Sequence, residues 1–312
     1  LAPPYLARKC NLMTGRTSGN WIWRAVVEQD SSEGRSLFKA LRGEVQHGLH
    51  LLFGDVEDLG DLVFGMAVAA GGSQIELWRL GVDALLALHR VPAPDHLDIG
   101  NGEQHLVPVF DHGAMQIEVE LLPDWYVPAA TGTPLGADAH SAFVAQWHRV
   151  FVRLLALPAT LLLRDYHSPN LLWLPERTGA AGVGIIDFQD AMRGPAAYDL
   201  VSLLQDARLD VSGAVETELF AYYCDRAAKM QPGFDRAGFE FAYRALGAQR
   251  NTKILGIFAR LARRDGKSRY LQHIPRIWRY LERDLTHPDL VSLRAWYDQY
   301  LPVEIRARAI AA

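Results

Sequence analysis

Asp165 and Asn170 stand five residues apart in Leu163-Arg164-Asp165-Tyr166-His167-Ser168-Pro169-Asn170, and Asp187 closes the apolar run Val183–Ile186. These side chains suit phosphoryl transfer. One carboxylate orients an acceptor hydroxyl and takes its proton, while an amide oxygen and a second carboxylate hold Mg²⁺ against nucleotide phosphates. Hard Mg²⁺ prefers oxygen donors. Zinc, which takes His or Cys, does not suit the set. A lone loop Asp usually caps a turn. Asp165 is read as catalytic, and Asn170 and Asp187 as metal ligands, because the three occur together. His167 is read as a loop-stabilising residue rather than a ligand.

The elements around them follow from the pattern. An apolar lead-in (160–163) precedes a polar loop (164–170), a strand (171–174), a Gly-bearing turn (176–182) and a strand (183–186). Two short strands joined by a turn bring Asn170 and Asp187 to the same end of a hairpin. Asp199, amid apolar residues at a helix start, reads as structural support for the catalytic loop, since a buried acid needs a partner. The spacing predicts helices over Ile75–His89 and Phe143–Leu155, the latter stopped by Pro158. It predicts a hairpin over Val107–Leu122, with a turn at Asp111–Gly113 and alternation in Met115, Ile117, Val119 and Leu121. After Gly194-Pro195 the chain reads as helical over Tyr198–Ala207, Ala214–Met230, Ala237–Arg263, Ile274–Leu285 and from Leu290. Near the start, Trp21–Val27 reads as a strand and Gly54–Asp61 as a connection between lobes.

The 312 residues are 49% apolar and 22% charged, which is ordinary for a globular chain with a large core. A net charge of −4 gives no general pull toward nucleic acid or anionic membrane. Neither is expected as a partner, and the oligomeric state is left open. With two cysteines, Cys10 and Cys224, no disulfide framework is expected, and a reducing cytoplasm fits. The longest apolar run, Leu62–Ala70, falls short of the roughly 18 residues of a membrane span, and the N-terminus lacks the blocks of a signal peptide. Between residues 241 and 280 the basic residues are Arg244, Arg250, Lys253, Arg260, Arg263, Arg264, Lys267, Arg269, Arg276 and Arg279, with Asp265 as the only acid. Gln249, Arg250 and Lys253 fall within about one helical turn and can face a cleft together. A positive wall there favours an anionic substrate over a cationic one.

The chain resembles the aminoglycoside phosphotransferase-like kinase superfamily. Within it, the chain is similar to bacterial kinases of N-acetylmuramate and N-acetylglucosamine. The residues that carry the likeness are Glu57-Asp58-Leu59-Gly60, Pro123-Asp124-Trp125-Tyr126, Arg164 to Leu171, Asp187-Phe188-Gln189-Asp190-Ala191, Gly194-Pro195 with Tyr198-Asp199-Leu200, and Gly247-Ala-Gln249-Arg250-Asn-Thr-Lys253. Gly256-Ile-Phe258-Ala-Arg260-Leu261 and Arg264-Asp265-Gly266-Lys267 match too. The resemblance implies an α+β, protein-kinase-like bilobal fold: a short or incomplete N-lobe (1–56), a hinge (57–61) and a mainly helical C-lobe (62–312). It implies ATP and Mg²⁺ as cofactors, with Glu57, Asp58 and Leu59 beside the adenine. It implies Asp165 as the catalytic residue, Mg²⁺ on Asn170 and Asp187, and Arg250 or Lys253 toward the substrate. The acceptor is expected to be the anomeric hydroxyl of an amino sugar in cell-wall recycling. Choline, homoserine or an aminoglycoside are the rival acceptors, and a non-catalytic kinase-like binding protein is the rival class. Two departures stand out: Leu163 replaces the His that many relatives carry, and residues 1–50 do not show the strands and phosphate-covering loop of an N-lobe. Lys39 with Glu44 is the candidate pair over the phosphates there.

Overall fold

The computed structural model describes residues 64–69, 71–100, 103–188, 190–308 and 310. The strand read at Trp21–Val27, the Lys39–Glu44 pair, the N-lobe and the hinge with Glu57, Asp58 and Leu59 lie outside these residues. The chain divides into two units. One is built from the chain up to Pro108, Thr160–Arg193 and Thr217–Ala227, the other from Val109–Ala159, Gly194–Glu216 and Ala228–Ala312.

In the first unit a short helix α1 (Phe64–Ala69) precedes α2 (Gln74–His89). Leu77, Trp78, Val82, Leu85, Leu86 and Leu88 of α2 are buried, as the helical spacing predicts. The Trp78 ring packs 5.7 Å from that of Phe64, and burial of side chains of this size stabilises by about 1.5–3 kcal/mol each. Strands β1 (His96–Gly100) and β2 (Glu103–Leu106) form an antiparallel pair. Then come β3 (Ala159–Leu162), a 3-10 turn (Ser168–Asn170), β4 (Leu171–Trp173), β5 (Val183–Ile185) and β6 (Met192–Pro195). Strand β3 pairs with β6, and β4 runs antiparallel to β5 in the register Leu171↔Ile185, Leu172↔Gly184, Trp173↔Val183.

The second unit corrects one expectation. Helix α3 (His112–Val119) replaces the hairpin predicted over Val107–Leu122. Asp111 is a helix cap, not a turn residue: its carboxylate accepts the Ala114 N–H at 2.9 Å, which satisfies an orphan donor of the first turn. Met115 and Val119 are buried four residues apart, Leu122 completes the stripe, and Ile117 is 72% exposed. The alternation therefore coincides with a helical period. A π-helical turn (Leu122–Tyr126) leads into α4 (Val127–Thr131) and α5 (Ala137–Leu155), which buries Phe143, Trp147, Val150, Phe151 and Leu154. Helices α6 (Ala197–Leu204), α7 (Gly213–Met230), α8 (Arg236–Asp265), α9 (Ile274–Asp284), α10 (Val291–Tyr300) and α11 (Val303–Arg306) follow. Their bounds track the helical stretches predicted from the sequence.

Helix α8 is framed by an Asp235 cap, which accepts the Gly238 N–H at 2.9 Å, and by Gly266 at φ 65°. It crosses close to the end of α3 because residue 256 is glycine. A Cβ there would lie 2.2 Å from the Leu121 carbonyl oxygen. Trp278 Nε1 donates to Tyr126 Oη at 2.7 Å, and Phe143, Trp296 and Tyr297 pack ring against ring. Helices dominate the described residues and the sheets are two-stranded, which bears out the α+β class. Among the described residues no helix is long and apolar enough to cross a membrane.

Candidate active site

Pairing of Leu171 with Ile185 sets the residue before β4 and the residues after β5 at one end of the hairpin. One further rung extends the ladder: the Ile186 N–H donates to the Asn170 carbonyl at 3.1 Å. Asn170 and Asp187 flank that rung, as their spacing predicts. Asn170 is buried and Asp187 is exposed.

The loop before β4 is built around the Asp165 peptides. The Asp165 N–H donates to the Leu163 carbonyl at 2.8 Å across Arg164, whose φ is 65°. The Asp165 carbonyl accepts the His167 N–H at 3.0 Å and Asn170 Nδ2 at 2.9 Å. Asn170 N–H in turn donates to the His167 carbonyl at 2.9 Å. His167 thus steadies the loop through its backbone, in line with its reading as a structural residue. With its nitrogen donating inside the loop, the Asn170 amide has its oxygen as the atom that can meet a cation. Tyr166 is buried, and its hydroxyl donates to the Gly81 carbonyl of α2 at 2.8 Å.

Arg164 (φ 65°) and Asp187 (φ 60°) are the non-glycine residues of positive φ among those described. Such backbone costs on the order of 1–3 kcal/mol and persists where the surroundings over-determine it, commonly at functional sites. Both residues adjoin or belong to the predicted chemistry. An amide oxygen and a carboxylate are hard donors of the kind Mg²⁺ prefers, so the residue types at the hairpin end fit that ion. Among the described residues no three His, Cys, Asp or Glu gather as a metal site.

Asp199, Arg250 and Lys253 lie in the second unit. Asp199 sits in the first turn of α6 with no exposed surface. Arg250 is 6% exposed and donates to the Gln205 carbonyl at 3.3 Å. Lys253 Nζ donates to Glu118 Oε1 at 2.6 Å and to Tyr198 Oη at 3.4 Å, while Gln249 Nε2 donates to Glu118 Oε2 at 2.9 Å. Glu118 was invisible to a search for paired charges along the chain, because it lies far from 249–253 in sequence. Part of the basic run of 241–280 is compensated in the same way. Arg244 meets Glu216 and Asp284, Arg276 and Arg279 share Asp210, and Arg264 pairs with Asp265. On the wall predicted to be positive, the charge of Lys253 is thus met by Glu118.

A second polar cluster went unread in the sequence. Gln205 Nε2 donates to Glu216 Oε1 at 3.1 Å and to Asp284 Oδ1 at 2.9 Å, and Asn251 Nδ2 donates to Gln205 Oε1 at 2.7 Å. Tyr243 Oη donates to Glu216 at 3.0 Å, and Arg283 also pairs with Glu216. Burial, then the neighbouring Glu216 charge, pushes the Asp284 carboxyl up to about 7 against the pull of Arg244. Gly247 makes room for it: a Cβ there would lie 2.3 Å from Asp284 Oδ2.

A braced loop Asp followed by a hairpin that ends on Asn170 and Asp187 suits phosphoryl transfer to a small molecule. Residues 36–239 match the phosphotransferase enzyme family, and the chain belongs to that family. It is 39% identical to an N-acetylmuramate/N-acetylglucosamine kinase of Caulobacter vibrioides, over 88% of this chain and 73% of that one. A protein of the same name from Pseudomonas aeruginosa is 31% identical over 82% of this chain and 70% of its own. A solved choline/ethanolamine kinase family protein from Mesorhizobium loti is 16% identical, with a TM-score of 0.44 over 72% of this chain and 66% of its own.

Proposed function

We propose that this phosphotransferase moves the γ-phosphoryl group of ATP to the anomeric hydroxyl of N-acetylmuramate or N-acetylglucosamine, in the cytoplasmic recycling of cell-wall sugars. The observation that carries the reading is the set Asp165, Asn170 and Asp187, with the last two at one end of the β4–β5 hairpin and the first braced by Asn170. The names of the relatives support the choice of acceptor.

In this reading the Asp165 carboxylate accepts a hydrogen bond from the acceptor hydroxyl, aligns its oxygen and takes its proton as the new P–O bond forms. ADP leaves with the electrons of the broken P–O bond, and the proton passes from Asp165 to solvent. No covalent intermediate with the protein is needed. Asn170 Oδ1 and the Asp187 carboxylate would hold Mg²⁺, which when bound neutralises charge on the phosphates. Glu57, Asp58 and Leu59 are proposed beside the adenine, and Arg250 and Lys253 toward the acceptor. Compensation of Lys253 by Glu118 suits a neutral or singly anionic sugar better than a highly charged one.

The test is incubation with Mg²⁺-ATP and N-acetylmuramate, N-acetylglucosamine, choline, homoserine or kanamycin, followed by mass spectrometry. Phosphorylated amino sugar with the wild type and none with Asp187→Ala supports the reading. Product from another acceptor alone contradicts the choice of sugar. No product from any acceptor contradicts the whole assignment.

A further inference from the structure

We infer that Tyr166 is a positioning residue for the transfer reaction, and that its hydroxyl fixes the peptide carrying Asp165 to the backbone of helix α2. This rests on the function proposed above. Tyr166 is 1% exposed, and its hydroxyl donates to the Gly81 carbonyl at 2.8 Å. The peptide bond that joins Asp165 to Tyr166 is the one whose carbonyl accepts both the His167 N–H and Asn170 Nδ2. A shift of the Tyr166 main chain therefore moves the Asp165 carbonyl and the Asn170 amide together. One hydroxyl sets the place of the proton acceptor and of one metal-holding residue.

The anchor is itself braced. Around Gly81, Arg79 donates to Glu218 at 2.7 Å and Asp83 accepts Tyr222 Oη at 2.8 Å, while His89 Nδ1 lies 2.7 Å from Tyr223 Oη. Three consecutive turns of α2 are thus tied to the segment 217–227. The catalytic loop inherits a reference point on a fixed helix, the kind of support on which in-line geometry depends.

A buried tyrosine hydrogen bond can also be stability alone, and the test separates the two. Tyr166→Phe fills the same volume and removes only the hydroxyl. Tyr222→Phe removes a hydroxyl that braces the same helix away from the loop. Steady-state kinetics with Mg²⁺-ATP and the amino sugar are read beside Tm for both variants. The expected result is a kcat about 10-fold lower in Tyr166→Phe with both KM values within about twofold of wild type, because misplacement costs the transition state and not ground-state binding. Tyr222→Phe is expected to lose Tm to a similar extent while its kcat stays within about twofold. Wild-type kcat in Tyr166→Phe, or an equal fall in Tyr222→Phe, overturns the role. A wild-type protein that phosphorylates no acceptor sinks the underlying function instead, so the two failures are told apart.

Discussion

The hairpin end at Asn170 and Asp187 and the cluster around Asp284 treat polar groups in opposite ways. At the hairpin end, every bond described has a main-chain partner: peptide groups tie Asp165, His167, Asn170 and Ile186, Asn170 Nδ2 and Tyr166 Oη donate to backbone carbonyls, and Asp187 is exposed. Around Asp284, side chains hold one another. Gln205, Glu216, Tyr243, Arg244 and Asn251 spend their donors and acceptors inside the unit. At the candidate site, peptide hydrogen bonds set the loop that carries Asp165 and Asn170. The cluster around Asp284 joins helices of the second unit through side-chain pairs. The presence of charge therefore says little about function until its partners are known.

The comparison breaks most visibly by mutation at the first region. Asp165→Asn and Asp187→Ala should each lower kcat by about 10³-fold or more while Tm stays close to wild type, since neither side chain is needed to fill a core. Steady-state assays beside thermal melts check it, and a large Tm loss would mean that these carboxylates are structural. Asn170→Asp should cost on the order of 10²-fold in kcat, because the donor to the Asp165 carbonyl is lost and a like charge enters the site. If Asn170→Asp turns over like wild type, the loop brace has no mechanistic weight.

The second region should respond in stability and not in turnover. Gly247→Ala forces a methyl group against Asp284 and should cost about 1–3 kcal/mol in denaturant unfolding, with kcat per folded molecule unchanged. The smallest effects separate the units by pH. Burial lowers the His89 imidazole from 6.5 to about 3, so its contribution is complete above about 6.5 and is lost as pH falls toward 3. The Asp284 carboxyl is raised from 3.8 to about 7, so its contribution is complete below 3.8 and is lost as pH rises through 7. Profiles of Tm against pH should show His89→Gln flattening the acid limb and Asp284→Asn flattening the neutral-to-alkaline limb. The reverse assignment would contradict the burial argument.

The hairpin that brings Asn170 and Asp187 to one end was legible because its information is local. Asp165, Asn170 and Asp187 fall on one loop and one hairpin, so strand spacing alone joins the last two. The long helices were legible for the same reason, with repeats such as Phe143, Trp147, Val150, Phe151 and Leu154. The segment 107–122 was misread because Asp111-His-Gly113 has turn chemistry and Met115 to Leu121 alternates. Asp111 caps a helix instead, and capping competes with turn formation for the same residue types. The counter-charges of part of the basic run, Glu118, Glu216, Asp210 and Asp284, were not legible because they come from outside residues 241–280. Tyr166 and Gly81 were missed because no local pattern links residues 85 apart in sequence.

The central claim is that Asn170 and Asp187 hold the cation that positions ATP, while Asp165 acts only on the acceptor. Calorimetric titration of ATP with and without Mg²⁺, on wild type, Asp187→Ala and Asp165→Asn, addresses it directly. The account predicts Mg²⁺-dependent ATP binding in the wild type, its loss in Asp187→Ala, and its retention in an Asp165→Asn protein that no longer turns over. Undiminished Mg²⁺-dependent binding in Asp187→Ala, or its loss in Asp165→Asn, would contradict the account.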